Sequence, residues 1–331
     1  MQALIKNTQA YRLLKAECKN NRFSHAYLLV MDDSRNLREA LKSFAKLFFS
    51  CDEPATERQK IVSDRIDAEN FSDCLFFPDA DKKFVVDDAE RVTEESLLKP
   101  VESDKKVFVI TDFAEANPAS QNKLLKLLEE PPENVVFLLG ATTVFPVLPT
   151  VLSRVEKLEI LPFDGKQIVT ALSRIYADKP YSVSDFELVS AASGGSLGAA
   201  QNMLEGGNYK ALIDDAFSLC LCTGATLPTL VKKIGETKRK KELLFLLRVI
   251  LRDALVWKSV KSGKANLLLS VEKNRIEKVA EKYLAASLVF AQKRISDAER
   301  EVFFNANFPQ CLEVLISEIL LQNAKNKKRE G

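Results

Sequence analysis

The chain has 331 residues, of which 46% are hydrophobic and 28% charged, an ordinary composition for a soluble protein. That length exceeds what one hydrophobic core accommodates and implies two or three domains. A formal net charge of +2 excludes a broad basic footprint for nucleic acid, and no apolar run approaches the roughly 20 residues that span a bilayer.

The stretch from Met1 to Tyr27 lacks the apolar core of a signal peptide, so the expected compartment is the cytoplasm. Leu4 to Cys18 has the apolar spacing of a first helix, and His25-Ala26-Tyr27-Leu28-Leu29-Val30 reads as the first strand. His25 is the only histidine, so no second one exists to build a histidine metal or catalytic pair, and a packing or hydrogen-bonding role is expected. The next turn, Met31-Asp32-Asp33-Ser34-Arg35-Asn36-Leu37, contains neither glycine nor lysine. A helix is predicted over about Ser34 to Phe49, with Leu37, Leu41, Phe44, Ala45 and Phe48 on one side. The cysteines, Cys18, Cys51, Cys74, Cys220, Cys222 and Cys311, are scattered without a framework, which fits reduced thiols. Cys51 and Cys74 are widely spaced with no histidine between them, short of the four ligands a structural zinc site needs.

Val107 to Ile110 is the next buried strand. Asp112 follows it, and a lone aspartate in that place is a helix cap or a turn residue. Asn122, Leu124, Leu125, Leu127 and Leu128 fall on a helical period that Glu129-Glu130-Pro131-Pro132 stops. Val135 to Leu139 is a continuous apolar run suited to a strand buried on both faces. Thr142 and Thr143 stand at its C-terminal end, where open α/β sheets place their ligand contacts. A short proline-bounded loop leads to Leu152-Ser153-Arg154, an arrangement that suits an exposed cationic tip; by itself a Ser-Arg pair is a surface feature. Phe163 to about Glu205 is a small helical segment whose Gly194, Gly195 and Gly198 allow tight turns and close helix approach. Asn208 to Lys328 is helical in pattern, with dense Leu and Ile spacing in Lys241 to Ser259, Leu284 to Ile295 and Phe308 to Leu321. Such stripes serve as core or as a contact face between subunits, and spacing alone does not separate the two. Lys238-Arg239-Lys240-Lys241 and Lys325 to Arg329 read first as solvated surface, with contact to a DNA backbone the minority reading.

The runs Leu124-Leu125-Lys126-Leu127-Leu128-Glu129-Glu130-Pro131-Pro132 and Leu148-Pro149-Thr150-Val151-Leu152-Ser153-Arg154-Val155 resemble the ATPase module of clamp loaders. In that family a helix ending in LLKxLEEPP precedes a strand, a threonine pair and LPTxLSRC; the final cysteine is Val155 here. Within the family the chain is most similar to the delta prime branch of bacterial DNA polymerase III. The HAYL sequence at His25, the strand end and helix start at Phe84-Val85-Val86-Asp87-Asp88, and Gly194 to Ala200 against GGSLGRA extend the likeness, as does Asn305-Ala306-Asn307. The implied fold class is α/β plus all-α. It comprises an AAA+ type parallel-sheet module over 1–162, a small helical lid over 163–207 and a C-terminal helical collar over 208–331.

In this family a glycine-rich loop, a lysine and a hydroxyl hold ATP and Mg²⁺. The segment Met31 to Leu37 lacks them, and a mimic of the lysine by Arg35 cannot supply the missing backbone cradle. The family's Asp-Glu-Ala-Asp is Thr111-Asp112-Phe113-Ala114-Glu115, with Phe113 at the neighbouring carboxylate position; the phosphate-sensing arginine is Ala199; and Cys51 stands where relatives begin a zinc module. The resemblance therefore implies a non-ATPase subunit with no cofactor and no metal. It also implies that Arg154, with Ser153 beside it, is an arginine finger donated in trans to a neighbour's ATP. The implied partners are the tau/gamma ATPase subunits and the delta subunit, with the sliding clamp and primed DNA reached through the complex and no membrane involved. The alternatives are an ATP-hydrolysing tau/gamma-type subunit, or a DNA-binding accessory protein using the basic clusters.

Overall fold

The computed structural model describes residues 1–50, 56–79, 82–207, 209–260 and 267–330. The chain forms two compact units, Met1–Phe163 and Asp164–Gly331.

In chain order the first unit contains α1 (Gln2–Lys6), α2 (Gln9–Lys19), β1 (Ala26–Met31), α3 (Ser34–Ala45), α4 (Glu57–Asp67), β2 (Cys74–Phe77), α5 (Val86–Ser96) and β3 (Lys106–Ile110). It continues with α6 (Pro118–Glu129), β4 (Val135–Ala141), α7 (Pro149–Leu152) and β5 (Glu156–Ile160). The five strands form one parallel sheet in the order β2-β3-β4-β1-β5. Ala26 pairs with Phe137 of β4 and Tyr27 with Glu156 of β5, which sets the register around the central strand. Every residue of β1 is buried, as expected of a parallel strand covered by helices on both faces. Because side chains alternate across a strand, Tyr27, Leu29 and Met31 join a core with Leu14, Leu37, Leu41 and Phe44, while Ala26, Leu28 and Val30 join Phe108, Phe137, Leu124 and Leu128 on the other face. Helix α3 approaches the sheet closely at Gly140, where an added Cβ would stand 2.5 Å from Leu41 Cδ1.

The structure alters several sequence expectations. The first helix is two helices, because Thr8 caps α2 by accepting a hydrogen bond from Tyr11 N (3.2 Å) through Oγ1. The helix after β1 ends at Ala45 and runs into a 3₁₀ turn at Lys46–Phe48. Phe84-Val85 is an extended lead into α5 and not a strand end; the strand of that region is β2, ten residues earlier in the chain. Strand β5 was hidden in the sequence because it lies at the sheet edge: only Leu158 and Ile160 are buried, and Glu156, Lys157 and Glu159 face outward.

The second unit is helical among its described residues. It contains α8 (Gly165–Ile175), α9 (Val183–Ala192), α10 (Leu197–Glu205), α11 (Tyr209–Leu221), α12 (Leu227–Ile234), α13 (Lys240–Ser259), α14 (Lys273–Lys282), α15 (Ala285–Phe303) and α16 (Phe308–Glu330). Helix α13 is enclosed on most sides, with Leu243, Leu244, Leu246, Leu247, Val249, Ile250 and Leu251 buried, and packs against α11, α14 and α15. Asp253 on the same helix is fully buried and is satisfied by Leu269 N (2.8 Å) and the Arg252 guanidinium (2.6 Å). No described helix is long and apolar enough to cross a membrane.

In the first unit, fully buried Asp73 holds the loop between α5 and β3. Its Oδ1 accepts from Val101 N (2.7 Å), and its Oδ2 accepts from Glu102 N (2.7 Å), Ser103 N (2.7 Å) and Ser103 Oγ (3.0 Å). Asp73→Ala strips partners from three backbone N–H groups at once and is expected to cost about 2–4 kcal/mol. Urea unfolding of the variant measures it, and a loss below about 1 kcal/mol would contradict this role.

Candidate functional site

All strands run in one direction, so the sheet has two chemically different edges. The C-terminal edge gathers Met31 to Ser34, Thr111, Asp112 and Thr142, where open α/β folds bind ligands. Only Asp32 and Asp33 connect β1 to α3. Asp33 is buried and caps α3: its Oδ1 accepts from Asn36 N (3.1 Å), and both carboxylate oxygens accept from Asn36 Nδ2 (3.2 and 3.0 Å). A helix N-terminus is otherwise a ready anion site, because its first N–H groups point outward with the positive end of the dipole. Here a carboxylate of the chain itself occupies it. Leu37 is fully buried and belongs to the core.

A second internal pair closes the same edge. The Arg38 guanidinium, on α3, donates to Glu69 Oε1 (2.7 Å), Pro78 O (3.0 Å) and Thr111 Oγ1 (3.3 Å). Lys42 Nζ adds an ion pair to Glu69 (3.1 Å). The Arg38 hydrogen bond, reinforced by Lys42, holds the Glu69 carboxyl below its ordinary range despite partial burial. Asp112 lies beside this network in a left-handed backbone conformation (φ 50°) and makes no side-chain cap bond to the 3₁₀ turn that follows. It is therefore a turn residue. Burial first, then Glu115, pushes its carboxyl above the ordinary range, against the pull of Arg38. Phe113 is fully buried against Phe84 in the core, so the position that follows Asp112 in the chain supplies no carboxylate. At the end of β4, Thr143 Oγ1 accepts from Phe145 N (3.4 Å).

The N-terminal edge carries the other set. Arg154 precedes β5, and His25 precedes β1. Six residues of β1 separate this edge from the opposite one by about 20 Å at 3.3 Å per residue. Arg154 is not a bare tip. Its Nη1 donates to Thr150 O (2.7 Å) and Ser153 Oγ (3.0 Å), and its Nη2 forms an ion pair with Glu129. Ser153 Oγ donates in turn to Thr150 O (3.0 Å). The Arg154 side chain remains 32% exposed and that of Glu129 49%, so the pair faces solvent. His25 Nε2 lies 3.0 Å from Leu128 O; a carbonyl only accepts, so this nitrogen donates and fastens the last turn of α6 to the start of β1. Ser24, His25, Leu128, Glu129, Ser153 and Arg154 thus line one open groove, completed by Val155 and Glu156.

The sequence placed Ser153 and Arg154 on this loop but missed Glu129, read only as part of a helix stop. The signal for it was a carboxylate at the last turn of the helix that ends beside the arginine loop. The remaining candidates lie elsewhere. Ala199 sits in the first turn of α10, where its N–H donates to Ser196 Oγ (3.1 Å), and a methyl group offers a phosphate nothing. Arg239 Nη2 donates to Asn202 O (3.0 Å), which gives one member of the first basic cluster an internal partner. Cys74 is buried, with its thiol pushed far up by burial, while Cys51 lies outside the described residues. No group of three or more His, Cys, Asp or Glu is arranged to hold a metal among the described residues.

Residues 6–164 match the family described as DNA polymerase III, delta subunit. The DNA polymerase III subunit gamma/tau of Mycobacterium tuberculosis is 26% identical over 270 residues, 73% of this chain and 46% of that protein. Subunit tau of Bacillus subtilis is 26% identical over 67% of this chain and 40% of its own length. Subunit tau/gamma of Haemophilus influenzae is 32% identical over 53% and 25% respectively. The chain thus spans less than half the length of these curated relatives. A gamma subunit-related protein of Thermotoga maritima has a solved structure 17% identical, covering 94% of this chain and 99% of that one, with a TM-score of 0.40.

Asp33→Ala removes the cap of α3 and is expected to cost about 1 kcal/mol in urea unfolding. Titration calorimetry of the variant and of the natural chain with Mg-ATP is expected to give no micromolar binding, because removing one carboxylate creates no glycine cradle. Micromolar heats with the natural chain would overturn the occupied-edge account.

Proposed function

Starting from a chain that belongs to the AAA+ clamp-loader family of DNA polymerase III subunits, we propose that it is the delta prime-type, non-ATPase member of the loader. In this reading it donates Arg154 to ATP bound by a neighbouring tau/gamma-type subunit and helps hold the ring through its C-terminal helices. Its other partners are the delta subunit and, through the complex, the sliding clamp and primed DNA. The observation that carries the reading is the Asp33 carboxylate at the N-terminus of α3, where a motor subunit would seat phosphate. The Arg38–Glu69 pair and buried Phe113 support it on the same edge.

The gamma/tau names of the relatives favour a second reading, an ATP-hydrolysing subunit. Asp33 argues against it, because its carboxylate caps the helix N-terminus where a phosphate would sit; Leu37 and Phe113 are apolar side chains buried in the core and offer Mg²⁺ no ligand. The position of Arg154 supports action in trans. At the edge opposite Asp33, across the roughly 20 Å length of β1, it cannot serve a nucleotide bound at its own strand ends.

Arginine suits the task because its guanidinium is planar, always charged and offers forked donors to phosphate oxygens. An arginine finger contributes roughly 10³ to 10⁵ in rate at a single site. Other sites in a loader keep their own arginines, so a smaller, several-fold loss is expected overall. Arg154→Ala is expected to fold and to enter the complex, since an exposed ion pair contributes at most about 1 kcal/mol. Clamp- and DNA-stimulated hydrolysis by the reconstituted complex is expected to fall several-fold, with clamp loading falling alongside it. Arg154→Lys is expected to restore only part of both, because a point charge lacks the fork. Wild-type turnover from an assembled Arg154→Ala complex would leave a purely architectural subunit.

The assembly role is assigned to residues from 208 onward, as a collar. Helix α16 exposes Val314 (46%) and Leu321 (60%), which are seven residues apart and lie on one face. Changing both to Asp is expected to weaken co-purification with the partner subunits at least about tenfold, since two apolar anchors of about 1 kcal/mol or more each would be lost. Unimpaired assembly of the folded double variant would place the contact elsewhere.

A further inference from the structure

The Glu129–Arg154 pair has a geometry that a merely decorative surface salt bridge does not need. The two terminal nitrogens of the guanidinium have different holders. Nη1 is held by its own loop, through Thr150 O (2.7 Å) and Ser153 Oγ (3.0 Å). Nη2 is held by a carboxylate from another element, Glu129 at the end of α6. The loop contacts set the course of the side chain without help from Glu129. The backbone that carries Glu129 is held at the end of α6, because Leu128 beside it accepts the His25 hydrogen bond (3.0 Å) and Pro131-Pro132 follow. Both partners remain open to solvent, at 32% and 49%, so an outside anion can reach the pair without unfolding anything.

We infer that Glu129 is a positioning residue that latches Arg154 through Nη2 and is exchanged for the terminal phosphate of a neighbour's ATP; this rests on the trans-finger reading above. A carboxylate and a terminal phosphate offer the same fork-matching oxygens, but the phosphate carries more charge, so the exchange runs toward ATP. ADP lacks the terminal phosphate, and Arg154 then stays on Glu129. In a chain outside the complex Glu129 competes with other anions for the guanidinium by the same small factor. Glu129 does not touch nucleotide; it acts only through Arg154.

The latch must be broken for engagement, so it lowers affinity in the ATP state alone. An ion pair this exposed weighs about 2- to 5-fold in an equilibrium constant. The test measures affinity of the full chain for the ATPase partner subunit loaded with a non-hydrolysable ATP analogue or with ADP. It uses the natural chain, Glu129→Gln, Arg154→Ala and the double variant, each checked for native melting. Glu129→Gln is expected to tighten binding about 2- to 5-fold with the ATP analogue, to leave ADP-state binding unchanged, and to have no effect when Arg154 is already Ala. Glu129→Ala serves as the second variant if Glu129→Gln melts early, with the same expected pattern. An unchanged ATP-state affinity for Glu129→Gln, or an equal effect in both nucleotide states or in the Arg154→Ala background, would overturn the latch while leaving the finger standing. Arg154→Ala without effect on stimulated hydrolysis would overturn the finger, and the latch with it.

Discussion

The parallel alignment of β1 with β4 and β5 is the constraint on which the first unit depends. A parallel strand is covered on both faces, and the alternation Tyr27, Leu29, Met31 against Ala26, Leu28, Val30 gives each face its own core. Burial of such side chains contributes roughly 1.5–3 kcal/mol apiece, so the register of β1 cannot slip without exposing one whole set. The same alignment sends every strand end to one edge and every strand start to the other. Asp33 and Asp112 fall on the first edge; His25 and Arg154 fall on the second. The chemistry available to the protein is thus divided by the sheet before any individual side chain is considered.

Carboxylates of the chain occupy several places where an external ligand or water would otherwise be expected. Asp33 takes the N-terminus of α3, Glu69 takes Arg38, Asp73 takes three N–H groups of the loop before β3, and Glu129 takes Arg154. They differ in exposure, and that difference separates structure from exchangeable chemistry. Asp73 is fully buried and Asp33 nearly so, and removing a partner from such groups leaves unsatisfied donors. Glu129 is half exposed, and water can satisfy either member of its pair during exchange. The occupied edge is therefore locked, and the arginine edge is open to competition.

The helical unit follows the same economy of polar groups in a different architecture. Asp253 is buried within α13 because Leu269 N and Arg252 satisfy it. Asn323 reaches from α16 to Leu284 N (2.9 Å) and Lys282 O (3.1 Å), tying the last helix to the junction of α14 and α15. These contacts fix how the helices of that unit pack and leave Val314 and Leu321 outside.

Much of this was legible in the residues themselves. Continuous apolar runs announced β1, β3 and β4, and Glu129-Glu130-Pro131-Pro132 announced the end of α6, because local composition and turn chemistry act over a few residues. The absence of glycine and lysine after β1 was equally plain. Strands β2 and β5 were not legible: one is only four residues long, and the other alternates charged and apolar residues at an edge. The split at Thr8 and the role of Glu129 were missed for a related reason. A threonine caps, and a glutamate latches, only when the chain brings a particular N–H or guanidinium to it. Sequence alone determined which residues could carry charge, cap a helix or fill a core. The tertiary structure alone decided that Asp33 closes one edge of the sheet and Glu129 holds Arg154 at the other, because partners 25 residues apart meet only when α6 and the loop before β5 are packed on the same sheet.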